Sequence, residues 1–197
     1  MKLYFLPSAC SLAAHILLRE AGQLPDLELV VKGTGKTAKG EDYRAISPLG
    51  YVPALEFDDG RVLTENTAIL AWIAENVGPA APSGQDYFTL LEEIGFLSTE
   101  LHKAFSPFFS DKTLSDDEKE AALAKLRSRI GHYDAVYLSK DREFDVAQAY
   151  AYVILSWTQF IGFDLGEFPR AQAFVQRIDA REAVKAARAA EAEALAA

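Results

Sequence analysis

A single cysteine, three histidines, and 20 Lys plus Arg against 29 Asp plus Glu set the first limits on this 197-residue chain. One thiol cannot form an intrachain disulfide, which fits a reducing compartment. The formal net charge of -9 speaks against nucleic acid or an anionic membrane surface as the main partner, because both require clustered Lys and Arg. A small anion in a local basic pocket stays open. No apolar run approaches the length that spans a bilayer, and the apolar stretch within residues 1–7 is too short for a signal peptide. The expectation is a cytoplasmic protein that binds neither nucleic acid nor membrane. Half of the residues are hydrophobic and a quarter charged, an ordinary composition for a soluble protein of one large or two small domains.

What is present is concentrated near the start. Residues 2–6 form a short apolar run, Pro7 breaks it, and from Cys10 the apolar residues fall at helical spacing, Leu12 with Ile16 and Ala13 with Leu17, until Gly22. A strand therefore runs through a tight turn into a helix. Such a turn aims the first free amide N–H groups and the positive end of the helix dipole at whatever sits there, and Cys10 sits there. That field predicts a thiol more acidic than free cysteine, whose pKa is about 8.5. Free cysteines are mostly small buried hydrophobes; the strand–turn–helix setting favours the reactive reading.

Residues 27–31 read as a second strand. The Gly35-Lys36-Thr37 ending of the next stretch resembles a phosphate-binding loop, but Val30 stands where that motif needs a glycine, so 32–37 reads as a mobile basic loop. A short helix over 41–46 precedes a strand over 51–57, whose Pro53 is a candidate for a cis bond. Asp58-Asp59-Gly60 turns into the return strand 61–63, and Thr64 is placed to cap a helix over 65–77. Residues 1–77 thus make a small α/β domain. The Pro- and Gly-rich residues that follow read as a linker over 78–86, and 87–197 as an all-helical domain. There a long helix is bent or ended by Pro107, Ser115 with Glu118 makes a capping box, and Asp145 with Gln148 caps a nearly all-apolar helix over 146–161. Pro169 precedes a shorter helix, and a last one starts near Arg181.

Five runs in order resemble the glutathione S-transferase family, above all its bacterial, cysteine-containing beta class. They are Pro7-Ser8-Ala9-Cys10-Ser11-Leu12, Gly50-Tyr51-Val52-Pro53-Ala54-Leu55, Leu63-Thr64-Glu65-Asn66 with Ala68-Ile69, Glu100-Leu101-His102-Lys103 with Phe105-Ser106-Pro107, and Phe168-Pro169 through Arg181-Glu182-Ala183-Val184. The resemblance covers nearly the whole chain. It implies a thioredoxin-like α/β domain that binds glutathione, an all-α domain that contributes a pocket for a hydrophobic electrophile, and a homodimer. Glutathione is then the co-substrate, and no metal is expected.

The resemblance also implies roles. Val52, before Pro53 and beside Tyr51, offers backbone groups to the cysteinyl part of glutathione as an added strand would. Asn66 and the amides of its helix take the γ-glutamyl carboxylate and Glu65 the ammonium; helix capping is the plainer reading of that pair. His102 faces Cys10 and orients or polarises the glutathione sulfur. Lys103 and Lys36 pair with the glycine carboxylate, or are solvated surface lysines. Phe105, Phe108, Phe109 and Trp157 are candidates for the electrophile pocket, although aromatics at this spacing are more often plain core. His15 and His132 read as structural or surface residues. Phe5, Gly95, Asn66 and Gln148 depart from the family pattern, and with Phe5 no phenol at that position can hydrogen-bond a thiolate. Three functions remain: conjugation of glutathione to hydrophobic electrophiles, as in detoxification; thiol–disulfide exchange or reductive dehalogenation through a Cys10 mixed disulfide; or binding of glutathione or an apolar ligand without turnover.

Overall fold

Alternation along the first strand layers the N-terminal part. In a computed structural model, which describes residues 1–77, 85–139 and 142–196, β1 (Lys2–Phe5) buries Leu3 and Phe5 in the main core with Leu12 and Ile16 of α1 (Ser11–Glu20). Tyr4 packs on the opposite face with Val30, Tyr43 and Ala54, as a period of two requires. The strand β2 (Asp26–Val31) lies parallel to β1, while β3 (Lys36–Thr37), β4 (Ala54–Glu56) and β5 (Val62–Thr64) are antiparallel to their neighbours, in the order β3-β2-β1-β4-β5. With α2 (Asn66–Asn76) after the hairpin, this is a thioredoxin-like domain.

Two local expectations are corrected here. Residues 32–37 are not loop throughout, because Lys36 and Thr37 pair with Val31 and Val30. Thr64 ends β5 and does not cap α2; Glu65 occupies the cap position at φ 67° with no side-chain cap bond. The Val52–Pro53 bond is cis.

The linker expected over 78–86 lies outside the described residues as far as 84, and Gln85 and Asp86 already form the first turn of α3 (Gln85–Phe96). The long helix that follows is interrupted by a π turn, Leu97–Leu101, and continues as α4 (His102–Phe109) straight through Pro107. The hydroxyls of Ser98 and Thr99 both donate to the Gly95 carbonyl, at 3.1 and 2.9 Å, a side-chain competition that loosens the regular ladder at this point. Pro107 has no N–H to give to the Lys103 carbonyl four residues before it, so α4 lacks one backbone bond there.

The helix α5 (Asp116–Val136) starts with the complete Ser115–Glu118 capping box. Every residue of α6 (Val146–Ser156) is buried, and α1, α2, α3 and α8 (Pro169–Asp179) pack around it. The helix expected over 146–161 divides at Trp157, after which α7 (Thr158–Ile161) begins. The last helix, α9 (Glu182–Ala196), packs on α1. No described helix is long and apolar enough to cross a membrane.

Asp145 caps α6 by accepting the Gln148 N–H at 2.8 Å, whereas the buried Gln148 Oε1 has no partner, so only half of a capping box forms. Asp145→Ala is expected to lower the unfolding free energy by about 1–2 kcal/mol. The shift of the denaturant midpoint measures it, and an unchanged midpoint would show that packing alone holds α6.

Candidate active site

A cavity of about 700 Å³ opens between the sheet ends and the helical part. Its α/β wall carries Cys10, Val52, Pro53, Glu65 and Asn66, with Tyr51 at the mouth; its helical wall carries Ser98, Thr99, His102, Lys103, Ser106 and Tyr150. Positions 99, 102, 103 and 106 recur at three and four residues, so one face of the π turn and α4 forms that wall.

Cys10 is half-buried at the cap position of α1, and its Sγ–H donates to the Val52 carbonyl at 3.4 Å. The N–H groups of Cys10 and Ser11 point at the sulfur, as the strand–turn–helix pattern requires. Nevertheless burial pushes the thiol up to about 11; the Glu65 carboxylate adds to the rise, while the two N–H groups and Lys103 oppose it. The expected acidic thiol is therefore corrected: at a helix end the dipole is worth typically about 0.3–1 kcal/mol, and loss of water around an anion outweighs it.

The loop that presents Val52 is held from behind. The Tyr43 and Ser47 hydroxyls both donate to the Tyr51 carbonyl, at 2.8 and 3.1 Å. At the start of α2 both amide atoms of Asn66 are buried without a partner of hydrogen-bonding geometry, although the Tyr150 hydroxyl lies near. Glu65 beside it is exposed.

His102 follows the π turn directly. Its Nδ1 lies 2.7 Å from the Tyr150 hydroxyl, and its ring meets Trp157 edge-on with centroids 4.8 Å apart. Burial, with the Lys103 charge next to it in sequence, drives its pKa down to about 4, so the imidazole is neutral near pH 7. Tyr150 was not legible as a site residue. It sits in the apolar run of α6 beside a second buried tyrosine, Tyr152, and nothing in the spacing sets the two phenols apart.

Lys103 is exposed and lines the cavity, whereas Lys36 does not; Lys32 and Gly33 line it instead, because pairing in β3 holds Lys36 away. Phe105, Phe108, Phe109 and Trp157 are likewise absent from the lining. Phe105 is fully buried and Trp157 nearly so, Phe108 is half-buried, and Phe109 is exposed. The Trp157 ring stands edge-on to both Phe105 and Phe109. These aromatics pack behind His102, and the helical wall of the cavity is polar. His15 is buried between Arg19 and Glu191, and His132 packs against Phe96 and Tyr137.

Known proteins resemble this chain over nearly its whole length. A family profile described as glutathione S-transferase, N-terminal domain, matches residues 7–76. Glutathione S-transferase GstA of Escherichia coli O157:H7 is 34% identical over 97% of this chain and 98% of its own length. The solved bacterial beta class glutathione S-transferase of Sphingomonas chungbukensis superposes with a TM-score of 0.90 at 40% identity, covering 97% of this chain and 98% of that one. A sphingomonad glutathione S-transferase solved in complex with glutathione gives the same TM-score and identity, covering 98% and 99%. The chain belongs to the glutathione S-transferase family and is a bacterial beta-class glutathione transferase.

Proposed function

We propose that the cavity holds glutathione with its γ-glutamyl end at α2 and its sulfur between Cys10 and His102, and that the whole glutathionyl group is transferred through that sulfur to a hydrophobic electrophile. The unpartnered Asn66 amide at the N-terminus of α2 carries this reading. A buried amide with no partner is costly, and a carboxylate there accepts both the Asn66 Nδ2–H and the free N–H groups of the first helical turn. Glu65 takes the neighbouring ammonium. The Val52 backbone receives the cysteinyl unit in strand fashion, and Lys103 with Lys32 meets the glycine carboxylate.

His102, kept neutral by burial, acts as a hydrogen-bond donor to the sulfur and not as a cation. With the Tyr150 O–H given to Nδ1, the other ring nitrogen carries the proton. The thiolate of glutathione attacks an electrophilic carbon, the carbon–sulfur bond forms as the leaving group departs with its electron pair, and the thiol proton goes to solvent. A thiol at about 11 weighs against a resting Cys10 mixed disulfide as the main route. We also read the chain as cytoplasmic and as a homodimer; the 62% exposure of Phe88 beside Tyr87 on α3 supports the second of these.

Calorimetric titration with glutathione tests the pose. Asn66→Ala is expected to weaken binding by about tenfold or more, the loss of one hydrogen bond to a charged group, and Cys10→Ser is expected to retain part of the conjugation rate with 1-chloro-2,4-dinitrobenzene. Equal affinities for the wild type and Asn66→Ala would remove Asn66 from the site. Abolished conjugation in a Cys10→Ser protein that still binds glutathione would instead give Cys10 covalent work.

A further inference from the structure

Ser8, two residues before Cys10, is one of two non-glycine residues with positive φ among the described residues, at 60°. An L-residue there is uncommon, and such a conformation persists where its surroundings over-determine it. Both backbone groups of Ser8 are taken by side chains from the far end of the chain. Its N–H donates to Glu191 Oε2 on α9 at 3.1 Å, and its carbonyl accepts the Trp157 indole N–H at 2.8 Å.

Glu191 is itself fixed. Arg19 Nε donates to His15 Nε2 at 2.9 Å. An arginine can only donate, so the His15 proton is on Nδ1, which gives it to Glu191 Oε1 at 3.2 Å. His15 is fully buried and Glu191 is 2% exposed. A carboxylate taken this far from water is costly unless every oxygen has a partner, and here one oxygen is spent on His15 and the other on the turn before Cys10. The indole that holds the Ser8 carbonyl also lies edge-on to His102 at 4.8 Å, so it touches both sides of the site.

We propose that Glu191 and Trp157 are positioning residues: together they clamp Ser8 and so set the Cys10 turn, with the Cys10 and Ser11 amides, against the cavity and opposite His102. The turn is otherwise closed locally, by Ser11 Oγ on Leu6 and by Ala9 N–H on the Leu6 carbonyl, and by the Cys10 Sγ–H on the Val52 carbonyl. The clamp makes the geometry of the thiol-bearing turn depend on α9, the last helix of the chain. Its effect on turnover rests on the glutathione pose proposed above; its effect on Cys10 does not.

The test uses the full chain with Trp157→Phe, which keeps a buried aromatic ring but removes the donor to Ser8. Two quantities are read: the pH profile of Cys10 alkylation by iodoacetamide, and kcat and KM for glutathione in conjugation. A relaxed turn admits water to the sulfur, so the alkylation profile is expected to move to lower pH, with kcat falling about tenfold and KM changing less than about twofold, as for a misplacement that spares the binding groups. Glu191→Ala, which removes both acceptor oxygens, is expected to match Trp157→Phe, while Glu191→Gln keeps a single acceptor oxygen for the two donors, Ser8 N–H and His15 Nδ1–H, and is expected to fall between the wild type and Glu191→Ala. An unmoved alkylation profile in Trp157→Phe would overturn the clamp, as would an unmoved profile in a folded Glu191→Ala protein. If the wild type failed to bind glutathione, the pose would fall while the alkylation profiles still decided the clamp.

Discussion

Iodoacetamide is expected to alkylate Cys10 roughly 30-fold more slowly than it alkylates a free cysteine at about pH 7.5. With the Cys10 thiol at about 11 and a free thiol near 8.5, the thiolate fraction is roughly 300-fold lower. The more basic thiolate is the stronger nucleophile, and a Brønsted slope of about 0.4–0.5 returns roughly tenfold of that difference. The sign follows from burial. The neutral thiol is favoured in the folded protein, so the rate climbs about tenfold for each pH unit and levels off near 11 instead of near the free value. Intact-mass measurement of alkylation across the alkaline range reads this directly. A plateau below the free-thiol pKa would show that the N–H groups of Cys10 and Ser11 outweigh burial after all.

The same geometry separates the resting thiol from the one substrate would meet. In the free protein Sγ–H is committed to the Val52 carbonyl at 3.4 Å. In the proposed pose a cysteinyl N–H of glutathione needs that carbonyl. Binding would then leave Cys10 without its acceptor and bring a second sulfur beside it. A quiet Cys10 in the free protein is therefore compatible with a role beside bound substrate, and alkylation should be measured both without glutathione and with it.

The placement of Cys10 was legible because its signals are local: Pro7 ends a strand and the spacing from Leu12 to Leu17 starts a helix. Its acidity was not, because the dipole is a property of one helix, while the burial and the Glu65 charge that oppose it come from chain segments distant in sequence. His102 was found through the motif around it, but Tyr150, which bonds it, has the spacing and neighbours of a core residue. Lys36 and Lys32 share one basic stretch, and only the pairing of β3 with β2 decides which one reaches the cavity. The π turn left no pattern at all. It arises from two hydroxyls converging on the Gly95 carbonyl, which no hydrophobic period encodes. Trp157 was read for its apolar surface, whereas its indole N–H is what ties it to Ser8.

Phe105→Ala is expected to lower the unfolding free energy by about 3–5 kcal/mol, the cost of removing a large ring from a close-packed core. Phe105 is 0% exposed, with its ring 6.1 Å from Phe109 and 5.5 Å from Trp157. Phe109→Ala, at 43% exposure, is expected to cost no more than about 1 kcal/mol. Denaturant titrations of the two variants measure the contrast. The functional side of the experiment separates core from pocket. Because Phe105 does not line the cavity, the folded variant is expected to keep the wild-type ranking of electrophiles. Its kcat should nevertheless fall, since a void beside Trp157 frees the indole that holds Ser8 and flanks His102. A changed ranking with stability intact would return Phe105 to the electrophile pocket. Lost stability, a lower kcat and an unchanged ranking would make the aromatic cluster the packing that keeps the two halves of the site in register.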